Sequence, residues 1–444
     1  MKTLFLILVV LFIGISSSAD YGPITMRENA NITLDDGHIL DANLTGVMNP
    51  STDSDVYVFT ALWDSVTVAQ WANGTLISLG TNDSAVLNGV FDIIEGGRII
   101  IKDDLSIDAP ITIHDSYIVL ELLPTVTITA SDSIAQMILI DPPSEGVAMY
   151  DINIKGGCLD ADEKAAIGIN ILGHYNDTKL TWGKINDIKI RDCTDAALKL
   201  NSTTFLRIND LTTIGNVNGI EFMEGCINTH INSWQSFQDD YGCVIGGTYP
   251  APHQRCEGTS FVDPIVLGST YCDIYIYEAL QTTINDGILD YSTGNSIYLN
   301  GNVDWTFISN TYISPMNSSD SILYGRGIVQ RGAATSLFCD NCNLVGAYYY
   351  AVDLINANSV SFTNCRFSEN GRMGTDGGDI INSGADYVTL IGNKFLTTYD
   401  TEKYNYVETG GSGAQLNTTM IGNHYTNRMI TSGGSPVSYG NSLI

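Results

Sequence analysis

Three copies of one pattern occupy residues 185–245. The first reads INDIKIRDCTDAALKL from Ile185, the second LRINDLTTIGNVNGIEF from Leu206, and the third INTHINSWQSFQDDYGCVI from Ile227. Each opens with apolar and polar residues in alternation, passes a turn rich in Asn, Asp and Gly, and resumes with a second apolar run. Alternation of period two marks a strand with one buried face. A unit of this size cannot bury its own apolar face, but stacked on its neighbours it can. The pattern therefore predicts a β-solenoid whose turns start at Ile185, Leu206 and Ile227.

Further starts follow at Gly258, Gln281, Val303, Thr335, Asn358, Asp386 and Leu416, with earlier rungs at 149–156 and 167–172. Units such as Phe362-Thr363-Asn364-Cys365-Arg366-Phe367 put Asn at tight bends, where it tolerates left-handed backbone. Upstream, Asn73-Gly74 between two apolar runs is a hairpin signal. Asn82-Asp83-Ser84 ahead of residues 85–94 reads as a capped helix. A solenoid of parallel strands needs its end edges covered, and this helix covers one. The expected organisation is a signal peptide at 1–19, a β-rich segment at 20–82, a solenoid at 83–432 and a tail at 433–444.

After that helix come Gly96-Gly97-Arg98-Ile99-Ile100-Ile101, Leu105-Ser106-Ile107, Pro110-Ile111-Thr112-Ile113 and Tyr117-Ile118-Val119-Leu120-Glu121-Leu122. This order resembles the opening of pectate-lyase-like right-handed parallel β-helices. The lead-in at 55–81 resembles segments of exported archaeal and phage β-helix proteins. The resemblance covers most of the chain as pattern. It implies an all-β fold, a right-handed parallel β-helix with a β-rich lead-in and a short N-terminal capping helix. It leaves activity open, since that superfamily holds lyases, hydrolases, tailspikes, adhesins and surface proteins.

Lys2, the apolar run at 4–15 and Ser17-Ser18-Ala19 form a secretion signal cleaved before Asp20. The expectation is a secreted or cell-surface protein. A net charge of -29 argues against nucleic acid and anionic lipid as partners. Nine cysteines, an odd number, leave at least one thiol unpaired or shared between chains. Cys339-Asp340-Asn341-Cys342 lacks a second CxxC and a nearby His, which argues against zinc. Cys342 and Cys365 sit in matching contexts, so Cys339, Cys342 and Cys365 are read as stacked small residues, with a disulfide as the alternative. Sequons at Asn31, Asn43, Asn73, Asn82, Asn176, Asn201, Asn317 and Asn417 are candidate N-glycosylation sites.

Asn216-Val217-Asn218-Gly219-Ile220-Glu221 followed by Gln238-Asp239-Asp240 is similar to the N-T-D and D-D motifs of family-28 glycoside hydrolases. That resemblance implies Asp239 and Asp240 as catalytic carboxylates. Two departures weaken it. Asn218 stands where the family has its first Asp, and Asn is neither acid nor base. No G-H-G or R-I-K follows, and His253 lies in a different context. The Arg-x-Pro-x-x-Arg pattern of pectate lyases is absent, and 20 Lys and Arg in all argue against gripping a polyuronate. Acidic clusters at Asp35-Asp36, Asp160-Ala161-Asp162-Glu163 and Asp376-Gly377-Gly378-Asp379 offer oxygen ligands suited to Ca²⁺, with solvated loops the plainer reading. No other metal or cofactor is expected. Tyr348, Tyr349, Tyr350, Tyr404, Tyr406 and Trp305 are candidate sugar-stacking aromatics, and Gly410-Gly411-Ser412-Gly413 reads as a loop. The leading expectation is an exported, non-catalytic surface protein, with self-assembly into a sheath, layer or fibre, in the manner of an archaeal envelope. The alternatives are a polysaccharide hydrolase or lyase, and a carbohydrate-binding adhesin. The partners are other copies of the chain or surface glycans.

Overall fold

The computed structural model describes residues 27–33, 39–43, 55–61, 66–142, 148–173, 180–246, 255–315, 325–331, 336–355, 357–372, 377–396, 404–409, 417–426, 428–430 and 437–443. Residues 1–19, expected to be a signal peptide, and Asp35-Asp36, Asn176, His253, Asn317, Asp376, Gly410 to Gly413 and the first residues of the expected tail lie outside these. Asn31 and Asn43 lie on the antiparallel strands Arg27–Thr33 and Ile39–Asn43.

The alternating segments become three parallel sheets wound around one core, a right-handed parallel β-helix. Sheet A runs from Gly97–Ile101 through Lys184–Asn186, Arg207–Asn209 and His230–Asn232 to Val437–Tyr439. Sheet B runs from Leu105–Ile107 to Ser442–Leu443 in 14 strands, and sheet C from Ile111–Ile113 to Arg428–Ile430 in 13. Each rung visits A, B and C in turn. A short extra edge, Met149–Tyr150, Leu180–Thr181 and Thr203–Thr204, precedes sheet A on three rungs.

The central repeat differs from the expected one. Ile185, Ile208 and Ile231 face one another across sheet A, a period of 23 residues rather than 21. Leu206 is buried in the turn before its strand, and Ile227, half-buried, makes only isolated bridges to Thr204 and Glu257, so neither starts a strand.

Equivalent residues stack, so the core is a set of columns. Phe367 and Phe395 face each other on adjacent strands of sheet B and stack at 4.7 Å between ring centres, and Phe362, on the same rung as Phe367, meets it edge-on at 5.7 Å. At the A-to-B corners one residue per rung turns left-handed. Asp187, Asp210 and Ser233 do so early, Asn310, Asn341 and Asn364 later, then Gly392 and Gly422. These residue types tolerate that backbone at little cost. The next residue points inward, as Ile188, Leu211, Trp234, Cys342, Cys365, Asn393 and Asn423. The last two form a buried ladder in which Asn423 Oδ1 accepts from the Asn393 N–H at 2.9 Å.

The first rung's edges are closed by polar side chains. Helix α1 (Asp83–Phe91) begins at Asn82, whose Oδ1 accepts from the Ala85 N–H at 2.8 Å. Asp83 accepts from the Ser106 N–H at 2.6 Å on the sheet B edge. Asn88 accepts from the Thr112 N–H and donates to the Pro110 carbonyl on the sheet C edge, both at 2.9 Å. Strand Asp55–Ala61 covers the sheet A edge and carries the antiparallel hairpin of Val66–Trp71 and Leu76–Gly80. Asn82→Ala is expected to lower stability by about 1 kcal/mol in urea titrations, the usual worth of an N-cap. The Asn82 side-chain N–H₂ also donates to Asp108 at 2.7 Å, so a glycan on that nitrogen would disturb this contact.

Candidate functional site

Asp239 lies inside the solenoid. It follows left-handed Gln238 (φ 58) at the B-to-C corner and is fully buried. Its Oδ1 accepts from the backbone and side-chain amides of Asn216, each at 2.8 Å, and its Oδ2 from the hydroxyls of Thr213 and Ser236, each at 2.6 Å. Burial pushes this carboxyl up from its ordinary value, and the four donors oppose the shift. Asp240 is half-buried, and its carbonyl accepts from the Tyr271 N–H at 2.8 Å. The two side chains thus occupy different environments, and only Asp240 reaches the surface. Glu221 is held by Lys199 at 2.8 Å.

The other acidic candidates are engaged in similar ways. Asp160 bonds Arg191 at 2.5 Å and Asp162 bonds Lys164 at 2.6 Å. Asp379 is buried between the side-chain amides of Asn370 and Asn405, each donating at 2.8 Å. Among the described residues no three His, Cys, Asp or Glu side chains converge on one point. Tyr406 is fully buried, its hydroxyl bonded to Asn382 and Thr418, and it cannot stack on a sugar. On sheet C, Arg326 and Asp353 form a buried ion pair at 3.1 Å beside Tyr349, next to the Tyr275–Tyr298 stack.

All nine cysteines are free thiols, and eight are buried. Cys342 and Cys365 occupy the same corner position on adjacent rungs, where the Arg366 N–H donates to the Cys342 carbonyl at 2.8 Å. Burial pushes the thiols of Cys193, Cys243 and Cys272 up, which removes the reactive thiolate. Alkylation without reductant is expected to label nine sites in denaturant and, in the native protein, to reach Cys158 first, slowly, since it is the one thiol not fully buried and burial pushes it up as well.

A different surface stands out. Where the chain enters sheet A, one residue per rung is left-handed: Tyr117 (φ 62), Asp151 (φ 52), Trp182 (φ 61), Phe205 (φ 57), Asn228 (φ 53), Gly258 (φ 69), Gln281 (φ 60) and Trp305 (φ 54). Asn, Asp and Gly suit this backbone, whereas bulky aromatics are outliers there. Such strain costs about 1–3 kcal/mol per residue and persists only where the surroundings enforce it. Here the ladder enforces it. The N–H of Tyr117 donates to Tyr150, that of Trp182 to Thr204 and that of Phe205 to Ile227, at 2.8, 3.1 and 2.9 Å. The rings consequently project outward: Tyr117 is 61%, Trp182 56% and Phe205 45% exposed. Tyr150 lies beside Trp182 at 6.2 Å.

A row of basic side chains runs beside the rings. Lys184, Arg207 and His230 occupy facing positions on consecutive strands and are exposed. They repeat at the strand spacing of about 4.8 Å. None of the three is ion-paired to a described residue, whereas Arg98, Arg191 and Lys199 all have carboxylate partners. With Asp151, Trp182, Gly183 and Phe205 they line an open cleft of about 320 Å³. Gly183 keeps its floor low, since a Cβ there would lie 2.9 Å from both Leu180 and Leu206. Of these residues, the sequence singled out only the distant Trp305.

The comparisons with solved structures concern the fold. The chain is similar to the A-module of the Azotobacter vinelandii mannuronan C-5 epimerase AlgE4, at 11% identity and a TM-score of 0.56, over 80% of this chain and 95% of that one. It is also similar to PfbA, a surface adhesin of Streptococcus pneumoniae, at 10% identity and a TM-score of 0.49, over 74% and 88% of the two chains. A tailspike protein of E. coli bacteriophage HK620 gives 14% identity and a TM-score of 0.49, over 81% and 70%. No protein-family model matches the chain, and no curated protein matches it. At 11% identity the likeness to the epimerase A-module establishes the fold, a right-handed parallel β-helix, and nothing about chemistry.

Proposed function

We propose that the protein is an exported, non-catalytic solenoid that binds an extended anionic glycan along the edge of sheet A. One observation carries this reading: Tyr117, Trp182 and Phe205 are held exposed by left-handed backbone that aromatic residues otherwise avoid. Strain retained at solvent-facing rings is a sign of function, because packing gains nothing from it. Flat rings suit the apolar faces of sugar rings. Lys184 and Arg207, with His230 next in the row, supply positive charge that no described carboxylate pairs, in a chain whose net charge is -29. The low count of basic residues had argued against an acidic polymer. Clustering weighs more than the count, since the adjacent Lys184 and Arg207 act together on a neighbouring polyanion, with the His230 ring nitrogens as further polar contacts.

Binding to an array of neutral, carboxylated and sulfated glycans, followed by chromatography of each bound glycan after long incubation, tests the reading. Retention of carboxylated or sulfated polymers with no new products is expected. Release of shortened or unsaturated products would replace it with a hydrolase or lyase. Among the described residues no helix is long and apolar enough to cross a membrane.

A further inference from the structure

The B-to-C corner and the first residues of the sheet C strands carry three buried aspartates, Asp239, Asp273 and Asp379, and one is unlike the others. Asp239 accepts from four donors, and Asp379 accepts from two side-chain amides. Asp273, one rung beyond Asp239, is also fully buried, yet neither of its oxygens has a hydrogen-bond partner. The hydroxyls of Ser269, Ser292 and Ser296 face it and are near enough to oppose the upward push of burial on its carboxyl, but none closes a hydrogen bond of ordinary distance and angle. Register brings them together. Cys272 pairs with Asn295 and Ile274 with Ile297, which sets Asp273 beside Ser296. The Thr293 N–H donates to the Ser269 carbonyl at 2.9 Å, which sets Ser292 above Ser269. All three serines are fully buried, and their hydroxyls likewise lack partners. No amide or guanidinium nitrogen donates to the side-chain oxygens of this group.

A carboxylate buried without partners is costly, and the fold elsewhere supplies donors to such groups. Here it supplies oxygens. Carboxylate and hydroxyl oxygens are the ligands that hard cations prefer. We propose that Asp273, Ser269, Ser292 and Ser296 form a buried site for one hard monovalent cation, of the sodium or potassium type. One carboxylate balances one positive charge. The ion ties two consecutive rungs together at their inner corner. The site faces the interior at the B-to-C corner, whereas the aromatic strip lies outside at the entry to sheet A, so the two proposals stand independently.

The test is thermal unfolding of the full chain, stripped in choline chloride with a chelator and then titrated with NaCl, KCl or CaCl₂ at constant ionic strength. A saturable rise in Tm with sodium or potassium is expected for the wild type. Ser292→Ala keeps the carboxylate and removes one ligand, and its half-saturating concentration is expected to rise at least about tenfold. Asp273→Asn is expected to abolish the response. In crystals soaked with thallium(I), an anomalous peak is expected beside the Asp273 carboxylate. An alkali response no larger than that to choline, a response to calcium alone, or equal responses in wild type and Ser292→Ala would each overturn the site. A wild type blind to cations with Asp273→Asn at least as stable would assign a protonated carboxyl instead.

Discussion

Asp239→Ala is expected to destabilise the protein by about 4 kcal/mol, while Asp240→Ala moves stability by less than about 0.5 kcal/mol. The asymmetry follows from where the two side chains end. Removing the Asp239 carboxylate leaves the Thr213 and Ser236 hydroxyls and two amide groups of Asn216 without their acceptor, all of them buried. Each stranded group costs roughly 1–3 kcal/mol, and hydroxyls that turn to other acceptors recover part of this. Asp239→Asn keeps one acceptor oxygen but turns an N–H₂ toward existing donors, so an intermediate loss of about 2 kcal/mol is expected. Urea midpoints followed by circular dichroism give the ranking. Similar midpoints for Asp239→Ala and Asp240→Ala would mean that the corner network does not hold the rungs together.

Trp182 is expected to behave in the opposite way. Trp182→Ala removes the ring but keeps a Cβ in the left-handed position, whereas Trp182→Gly removes both ring and strain. The glycine variant is expected to be about 1 kcal/mol more stable than the alanine variant, the scale of the left-handed penalty for residues with a Cβ. Both are expected to lose at least about 2 kcal/mol of glycan affinity, roughly thirtyfold, as is usual for a central aromatic anchor. Phe205→Ala and Phe205→Gly should repeat the pattern, since Phe205 has the same backbone one rung on. A residue that weakens the fold while strengthening binding is what a functional site predicts. A glycine variant less stable than the alanine variant would remove the strain argument.

The fold was legible because period-two alternation and corner residues act locally. Asn82 as a helix cap, Asn73-Gly74 as a hairpin turn and Asn364 at a bend are set by a few neighbouring atoms. The candidate site was hidden by a register error of two residues. At the true period, Trp182-Gly183-Lys184-Ile185-Asn186 aligns with Phe205-Leu206-Arg207-Ile208-Asn209, and then with Asn228-Thr229-His230-Ile231-Asn232. The first two segments share the order of ring, spacer, cation, Ile and Asn, the third has Asn228 and His230 in place of the ring and the cation, and the pattern appears only when Ile185 is set against Ile208. Starts at Leu206 and Ile227 place the rings and cations in different columns. Asp239-Asp240 drew attention because neighbouring carboxylates suggest acid–base chemistry. Nothing local reveals that Asp239 faces inward, because that depends on the left-handed turn at Gln238 and on donors one rung back at Thr213 and Asn216.

The most direct measurement is a calorimetric titration of the tightest-binding carboxylated or sulfated glycan from the array into wild type, Trp182→Ala and the double variant Lys184→Gln/Arg207→Gln. Binding by the wild type, at least about thirtyfold weaker binding by Trp182→Ala, and weak, salt-insensitive binding by the double variant are expected. Equal affinity in all three proteins would contradict a glycan site on the edge of sheet A.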